Sequence, residues 1–145
     1  MKKKDIFQIA KSLAPSLGLE YHEDGRVIIL SNNNEDGLVL CPYTGNSNLV
    51  YLYVDIFNWD IATEPDKRAE VLNLINQNID DCSVLLLPPE EGSPNELRMI
   101  AKAEILLLSK SHFKKKLAET VNSLIATRRK YVGFLLQALD KLENK

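Results

Sequence analysis

The segment LRMIAKAEI, residues 97–105, and the segment SHFKKKLAETVNSLIATRRKYVGFLLQALDKL, residues 111–142, decide the fold. In the first segment apolar and polar residues alternate, which is the period-two pattern of a half-buried strand. In the second, apolar residues recur every three or four positions, as along one stripe of a helix. The members of that stripe are Phe113, Leu117, Val121, Leu124, Tyr131, Leu135, Leu139 and Leu142. A strand that leads into a long amphipathic helix predicts an α+β domain.

The length of this last helix predicts a partner. Residues 111–142 would form a helix roughly 48 Å long at about 1.5 Å per residue. A compact domain of this size has a diameter of about 40 Å. Since the apolar stripe continues to Leu142, we expect a second copy of the chain to cover it. Gly133 costs about 1 kcal/mol relative to Ala inside a helix, so the helix is expected to bend or split there.

The rest of the chain completes the order α-β-β-β-β-α-β-β-α. A first helix is predicted at residues 5–14, and a second begins after Thr63 as its N-cap. Turn signals such as Asp24-Gly25 separate five further runs of strand character. These predicted strands are residues 19–23, 26–30, 38–41, 49–57 and 83–87. We therefore expect one domain spanning residues 1–145, with an antiparallel sheet flanked by helices and a long C-terminal helix.

Three stretches resemble a known fold. They are LNLINQN at residues 72–78, with two asparagines three apart, SVLLL at residues 83–87, and the strand at residues 97–105. With the last helix, they make the chain similar to the type III secretion chaperone-like fold, closest to its YbjN-like branch. The resemblance covers nearly the whole chain and implies homodimers that hold a client peptide or a partner protein. From the residues alone, Asn73 and Asn76 are predicted to hold neighbouring backbone groups.

Composition limits the class of protein. The formal net charge is −2, whereas a dedicated nucleic-acid binder usually has a basic balance. Lys2-Lys3-Lys4 is followed by polar residues rather than the apolar run of a signal peptide. No run approaches the length of a membrane span. We therefore predict a soluble, cytoplasmic protein. Cys41 and Cys82 fit reduced thiols in strands, with a disulfide between them as the alternative.

The fourth strand is the best candidate for a partner-binding surface. Val50, Leu52, Val54 and Ile56 form the face that is predicted to pack on the helices. A row of large apolar residues forms the other face, and such rows usually mark interaction surfaces when exposed. The candidate partner-binding residues are Leu49, Tyr51, Tyr53 and Phe57, with Trp59 just past the strand. The alternatives are that the chain itself covers this row, and that Trp59 plugs the edge of the core.

The remaining polar residues give no chemical signature. Lys114-Lys115-Lys116 and Arg128-Arg129-Lys130 lie nearly four helical turns apart and fit the solvated face of a helix better than a phosphate-binding stripe. His22 and His112 lack neighbours at metal-ligand spacing. Asp55 and Asp60 would form an acid–base pair only if the fold brought them together. No metal or cofactor is predicted.

Three function classes follow from these observations. The leading hypothesis is a non-enzymatic protein-binding module that acts as a homodimer and has a chaperone-like or regulatory role. The second is a small-ligand binder or enzyme with a pocket between sheet and helices, around Tyr53, Asp55 or His22. The third is a nucleic-acid adaptor, which would bind with a steep dependence on salt.

Overall fold

The computed structural model describes residues 2–32, 37–42, 48–77 and 82–143. Its three helices are α1 (Lys3–Leu13), which runs into a 3₁₀ turn at Ala14–Leu17, α2 (Pro65–Asn76) and α3 (Lys110–Glu143). Its six strands are β1 (Glu20–Asp24), β2 (Val27–Ser31), β3 (Leu38–Pro42), β4 (Leu49–Asp60), β5 (Ser83–Leu87) and β6 (Glu96–Leu106). The predicted element order and α+β class are confirmed.

The strands form one antiparallel sheet in the order β1-β2-β3-β4-β6-β5. The first four strands make a meander, and β6 then lies between β4 and β5. The two longest strands, β4 and β6, therefore pair in the middle of the sheet, and β1 and β5 are its edges. The turn between β1 and β2 depends on Gly25, whose φ of 63° is a conformation that glycine adopts without strain.

All three helices pack on the same face of the sheet. Buried residues of α1, α2 and α3 belong to one apolar cluster with alternate residues of the strands. On β4 these are Val50, Leu52, Val54 and Ile56, as predicted. We call this side the inner face and the opposite side the outer face. One layer of helices on one sheet face gives the domain a single core.

The long last helix is confirmed, and it runs without a break through Gly133. Its first half supplies Phe113, Leu117, Val121 and Leu124 to the core, each fully buried. The side chains of Tyr131, Leu135, Leu139 and Leu142 lie outside the described residues, as does the prediction that a second copy covers them. Leu136, in the same half of the helix, is 55% exposed.

For α2, the backbone-binding role of Asn76 at its end was predicted correctly, and the N-cap at its start was not. Asn76 donates a hydrogen bond to the Val84 carbonyl and accepts one from the Val84 N–H, as expected of a residue that holds backbone groups. The N-cap of α2 is Glu64, not Thr63. The reason is that β4 continues to Asp60, whose carbonyl accepts the Thr63 N–H and whose carboxylate accepts the Ala62 N–H.

Candidate interaction surface

The outer face of the central strands carries exposed apolar side chains. Leu49 of β4 lies opposite Leu106 of β6 in the register, and these leucines are 37% and 49% exposed. Tyr51 and Tyr53 continue the same row of β4 toward the middle of the sheet and are half-buried. Among the described elements, the helices contact the inner side of these strands through the shared core. Leu49, Tyr51 and Tyr53 thus lie together where the sequence predicted them.

Two cations of β6 lie over the two tyrosines. The Lys102 Nζ is 4.5 Å from the centre of the Tyr51 ring, and the Arg98 guanidinium carbon is 5.7 Å from the centre of the Tyr53 ring. A cation over an aromatic face is attracted by the ring quadrupole and orders both side chains. We call Leu49, Tyr51, Tyr53, Arg98, Lys102 and Leu106 together the outer patch.

Arg98 of the outer patch is bound by two carboxylates from different parts of the chain, Asp55 and Glu90. Its Nε and Nη2 atoms donate to one oxygen of Asp55, at 3.1 and 2.7 Å, and its Nη1 pairs with Glu90 from the loop before β6. Burial disfavours the charged guanidinium, but the hydrogen bond and charge of Asp55 outweigh it and raise the pKa of Arg98. Arg98 therefore stays charged and fixes one end of the patch.

A β-bulge removes Phe57 and Trp59 from this surface. The register of β4 against β6 shifts between Asp55, which lies opposite Ile100, and Phe57, which lies opposite Met99. The extra residue is Ile56, and it reverses the alternation of faces beyond it. Phe57 and Trp59 consequently share the inner side, where their rings meet edge to face with centres 5.2 Å apart. The prediction that Phe57 belongs to the row of Tyr51 and Tyr53 is wrong for this reason.

Trp59 is 3% exposed and is part of the core, which matches the alternative that it plugs the core edge. A side chain so deeply buried offers no area to a partner in this conformation. Its indole Nε1 is buried without a hydrogen-bond partner among the described residues. The contiguous candidate surface is therefore narrower along β4 than predicted, and it widens onto β6.

The cavities bear on the hypothesis of a ligand pocket between sheet and helices. In the described part of the chain, two cavities lie between the sheet and α3. One, lined in part by Val54 and Ile125, has a volume of about 10 Å³, too small for an organic ligand. The other, lined in part by Leu106 and Glu119, has a volume of about 350 Å³, near the lower end of the range for small-molecule sites. A wider hollow of about 710 Å³ lies on the outer face, lined in part by Tyr53, Asp55 and Arg98. Tyr53 and Asp55 thus meet there, whereas His22 is exposed on β1, at the edge of the sheet.

The basic groups of α3, the candidate metal ligands and Cys82 were also considered from the sequence, and they do not form a common site with the outer patch. Arg128 donates to the Asp55 backbone carbonyl at 3.0 Å, and Lys116 pairs with Glu119 at 3.5 Å, so both basic groups have members engaged within the domain. Within the described ranges, no group of three His, Cys, Asp or Glu residues converges as a metal site would require. Cys82 is a thiol, and its Sγ lies 3.9 Å from the Thr127 hydroxyl.

Three members of the outer patch were not predicted from the sequence. These are Arg98 and Lys102, which lie over the tyrosine rings, and Leu106. They belong to the outer patch because β6 pairs with β4, and that pairing joins residues about fifty positions apart. The alternation in residues 97–105 was the available signal, since it placed Arg98, Lys102 and the neighbouring Glu104 on one face. None of the helices described here is both long and apolar enough to span a membrane.

Comparison with known proteins supports the fold. No protein-family model and no curated protein matches the chain. Among solved structures, the chain is similar to the crystal structure of YbjN, a candidate transcription regulator from E. coli. The TM-score is 0.55 at 11% sequence identity, and the match covers 93% of this chain and 92% of that chain. This likeness supports the YbjN-like fold and does not extend to the type III secretion chaperones.

Proposed function

We propose that this chain is a non-catalytic protein-binding module that uses the outer patch to hold a protein or peptide partner. The observation that carries the proposal is the exposed leucine pair, Leu49 and Leu106, continuous with the half-buried Tyr51 and Tyr53 on a sheet face opposite the helices. Apolar area next to tyrosine is typical of interaction surfaces, because the ring supplies contact area and the hydroxyl supplies a polar tip.

The charges of the patch favour a protein partner over nucleic acid. Arg98 is engaged by Asp55 and Glu90, and Lys102 lies 3.8 Å from Glu104. Since these cations already face carboxylates, little net positive charge is available for a phosphate backbone. We expect partner affinity to depend weakly on salt. The regulatory role, the homodimer and the cytoplasmic location are parts of the same proposal, and the description of YbjN as a candidate transcription regulator is compatible with the first.

The test compares two variants of the full chain as affinity baits in lysate of the native cell. Tyr51→Ser combined with Tyr53→Ser removes both rings of the patch. Leu74→Ser, on α2 and 40% exposed, is the control on the layer of helices. Truncating an aromatic hot spot at the centre of an interface costs about 2 kcal/mol or more, which is roughly 30-fold in affinity. We expect the double variant to lose the proteins that the control and the unmodified chain retain.

Two outcomes count against the proposal. Equal capture by the double variant, with Trp59 fluorescence showing that it is folded, would exclude the outer patch as the contact surface. Capture that falls steeply with salt would favour the nucleic-acid adaptor instead. The homodimer is tested separately by sedimentation at micromolar concentration. A strict monomer would remove the homodimer and leave partner binding standing.

A further inference from the structure

The two edges of the sheet differ in charge. The β1 edge reads EYHED and carries Glu20, Glu23 and Asp24. The β5 edge reads SVLLL and carries no charged residue. An exposed strand edge presents backbone N–H and C=O groups that pair readily with another chain, and charged side chains are one means of preventing this. Two copies of β1 would bring carboxylates against carboxylates, whereas two copies of β5 would meet no such repulsion.

Asn76 binds the N–H and the C=O of Val84, in the first half of the β5 edge. Its Nδ2 donates to the Val84 carbonyl at 2.8 Å, and its Oδ1 accepts the Val84 N–H at 2.9 Å. In an antiparallel pair, the N–H and C=O of one residue point to the same side, and successive residues alternate. Val84 therefore directs both groups away from β6, toward the side where an added strand would lie. The carboxamide of Asn76 occupies the position that a peptide group of that strand would take.

We propose that Asn76 is a latch that keeps the β5 edge from pairing with β5 of a second copy of this chain. The second copy is the occupant favoured by three features of the edge. The ladder of this sheet is antiparallel throughout, and a two-fold axis also sets identical strands antiparallel. The strand bears no charge, and Leu85 and Leu86 present half-buried apolar side chains to its two faces.

Asn76→Ala tests the latch, and Asn73→Ala is its matched control one turn earlier on the same helix. Asn73 is exposed, and the Val84 groups are bound by Asn76. Sedimentation velocity of the full chain from micromolar to millimolar concentration should show the Asn76→Ala mass rising to twice that of the unmodified chain. Asn73→Ala should keep the unmodified mass. At the lowest concentration, the Val84 amide of Asn76→Ala should exchange with deuterium roughly tenfold faster or more, since both hydrogen bonds are lost.

A charge on the strand provides the second arm. Leu85→Lys, added to Asn76→Ala, gives β5 the kind of protection that β1 already has, and the mass should return to that of the unmodified chain. Should Asn76→Ala fail to fold, Asn76→Ser removes the bidentate contact with a smaller change in polarity and is measured in the same way.

The proposal is overturned if Asn76→Ala keeps the unmodified mass at every concentration while its Val84 amide exchanges rapidly, because an open edge would then fail to pair. Equal association of Asn73→Ala would assign the effect to the surface of α2. Association that persists with Leu85→Lys would place the new contact elsewhere. None of these results bears on the outer patch, so the proposed function is judged by its own experiment.

Discussion

The coupling between Arg98 and Asp55 gives a measurable stability prediction. The Arg98 side chain is 18% exposed and that of Asp55 is 38% exposed, and two N–H groups of the guanidinium share one carboxylate oxygen. Hydrogen bonds to a charged group contribute about 1.5–3 kcal/mol when buried. Because Asp55 is more than one-third exposed, solvent screens part of this, and we expect a coupling free energy of about 1–2 kcal/mol.

A double-mutant cycle measures that coupling directly. Arg98→Met also removes the Glu90 and Tyr53 contacts, so it should lower the free energy of unfolding by about 2–3 kcal/mol. With a urea dependence of about 2 kcal/mol per molar, its midpoint should fall by roughly 1 M. Asp55→Asn and the double variant complete the cycle, and fluorescence of the buried Trp59 reports unfolding.

A coupling below about 0.5 kcal/mol, well within the range of about 0.2–1 kcal/mol measured for exposed ion pairs, would refute the view that Arg98 and Asp55 fix one end of the outer patch. The same conclusion would follow if the coupling disappeared in high salt, because a partly buried pair is screened much less than an exposed one.

Two further predictions concern the backbone and pH. Gly133→Ala should stabilise the chain by about 0.5–1 kcal/mol, since the added methyl group meets open space within a helix. Gly25→Ala should destabilise the chain by about 1–2 kcal/mol, because Gly25 has a positive φ. If the urea midpoints of the two variants moved in the same direction, this prediction would be contradicted. The Lys2 backbone N–H, followed by Lys110, lowers the pKa of Asp5, so this carboxylate stabilises the fold above its unfolded pKa and ceases to do so as pH falls through its folded value. Asp5→Asn should therefore lower the melting temperature at neutral pH but not in strong acid, and an equal loss at both would contradict the assignment.

Local pattern was enough to predict the elements, because most of them follow a hydrophobic period and the Asp24-Gly25 turn marks the end of β1, in which four of five residues are exposed. The predicted β5 has the observed limits, and the last helix differs by one residue at each end. The expected bend or split at Gly133 does not occur, and the helix is continuous there. The penalty of one glycine is about 1 kcal/mol, and the many backbone hydrogen bonds of a helix of this length outweigh it.

The candidate surface was less predictable because it depends on the pairing of distant strands. Alternation along β4 placed Leu49, Tyr51 and Tyr53 correctly, up to the bulge. The position of Ile56 as an extra residue is decided by the β4–β6 register, which period-two counting along one strand does not contain. The Asn76 contact was anticipated in kind, whereas its target, Val84, depended on the path of the chain between α2 and β5.

The bulge at Ile56 also constrains how the gene can change in length. Removing this one codon would make Phe57 follow Asp55 directly and keep it opposite Met99, so strict alternation along β4 would return with Phe57 and Trp59 still on the inner side. The strand order and both aromatic rings of the interior would survive, and the loss would be the Ile56 side chain, which is 8% exposed. A single-residue deletion at Ile56 is therefore expected to be tolerated better than one at Asn58, which would place Trp59 opposite Arg98 and turn its ring outward.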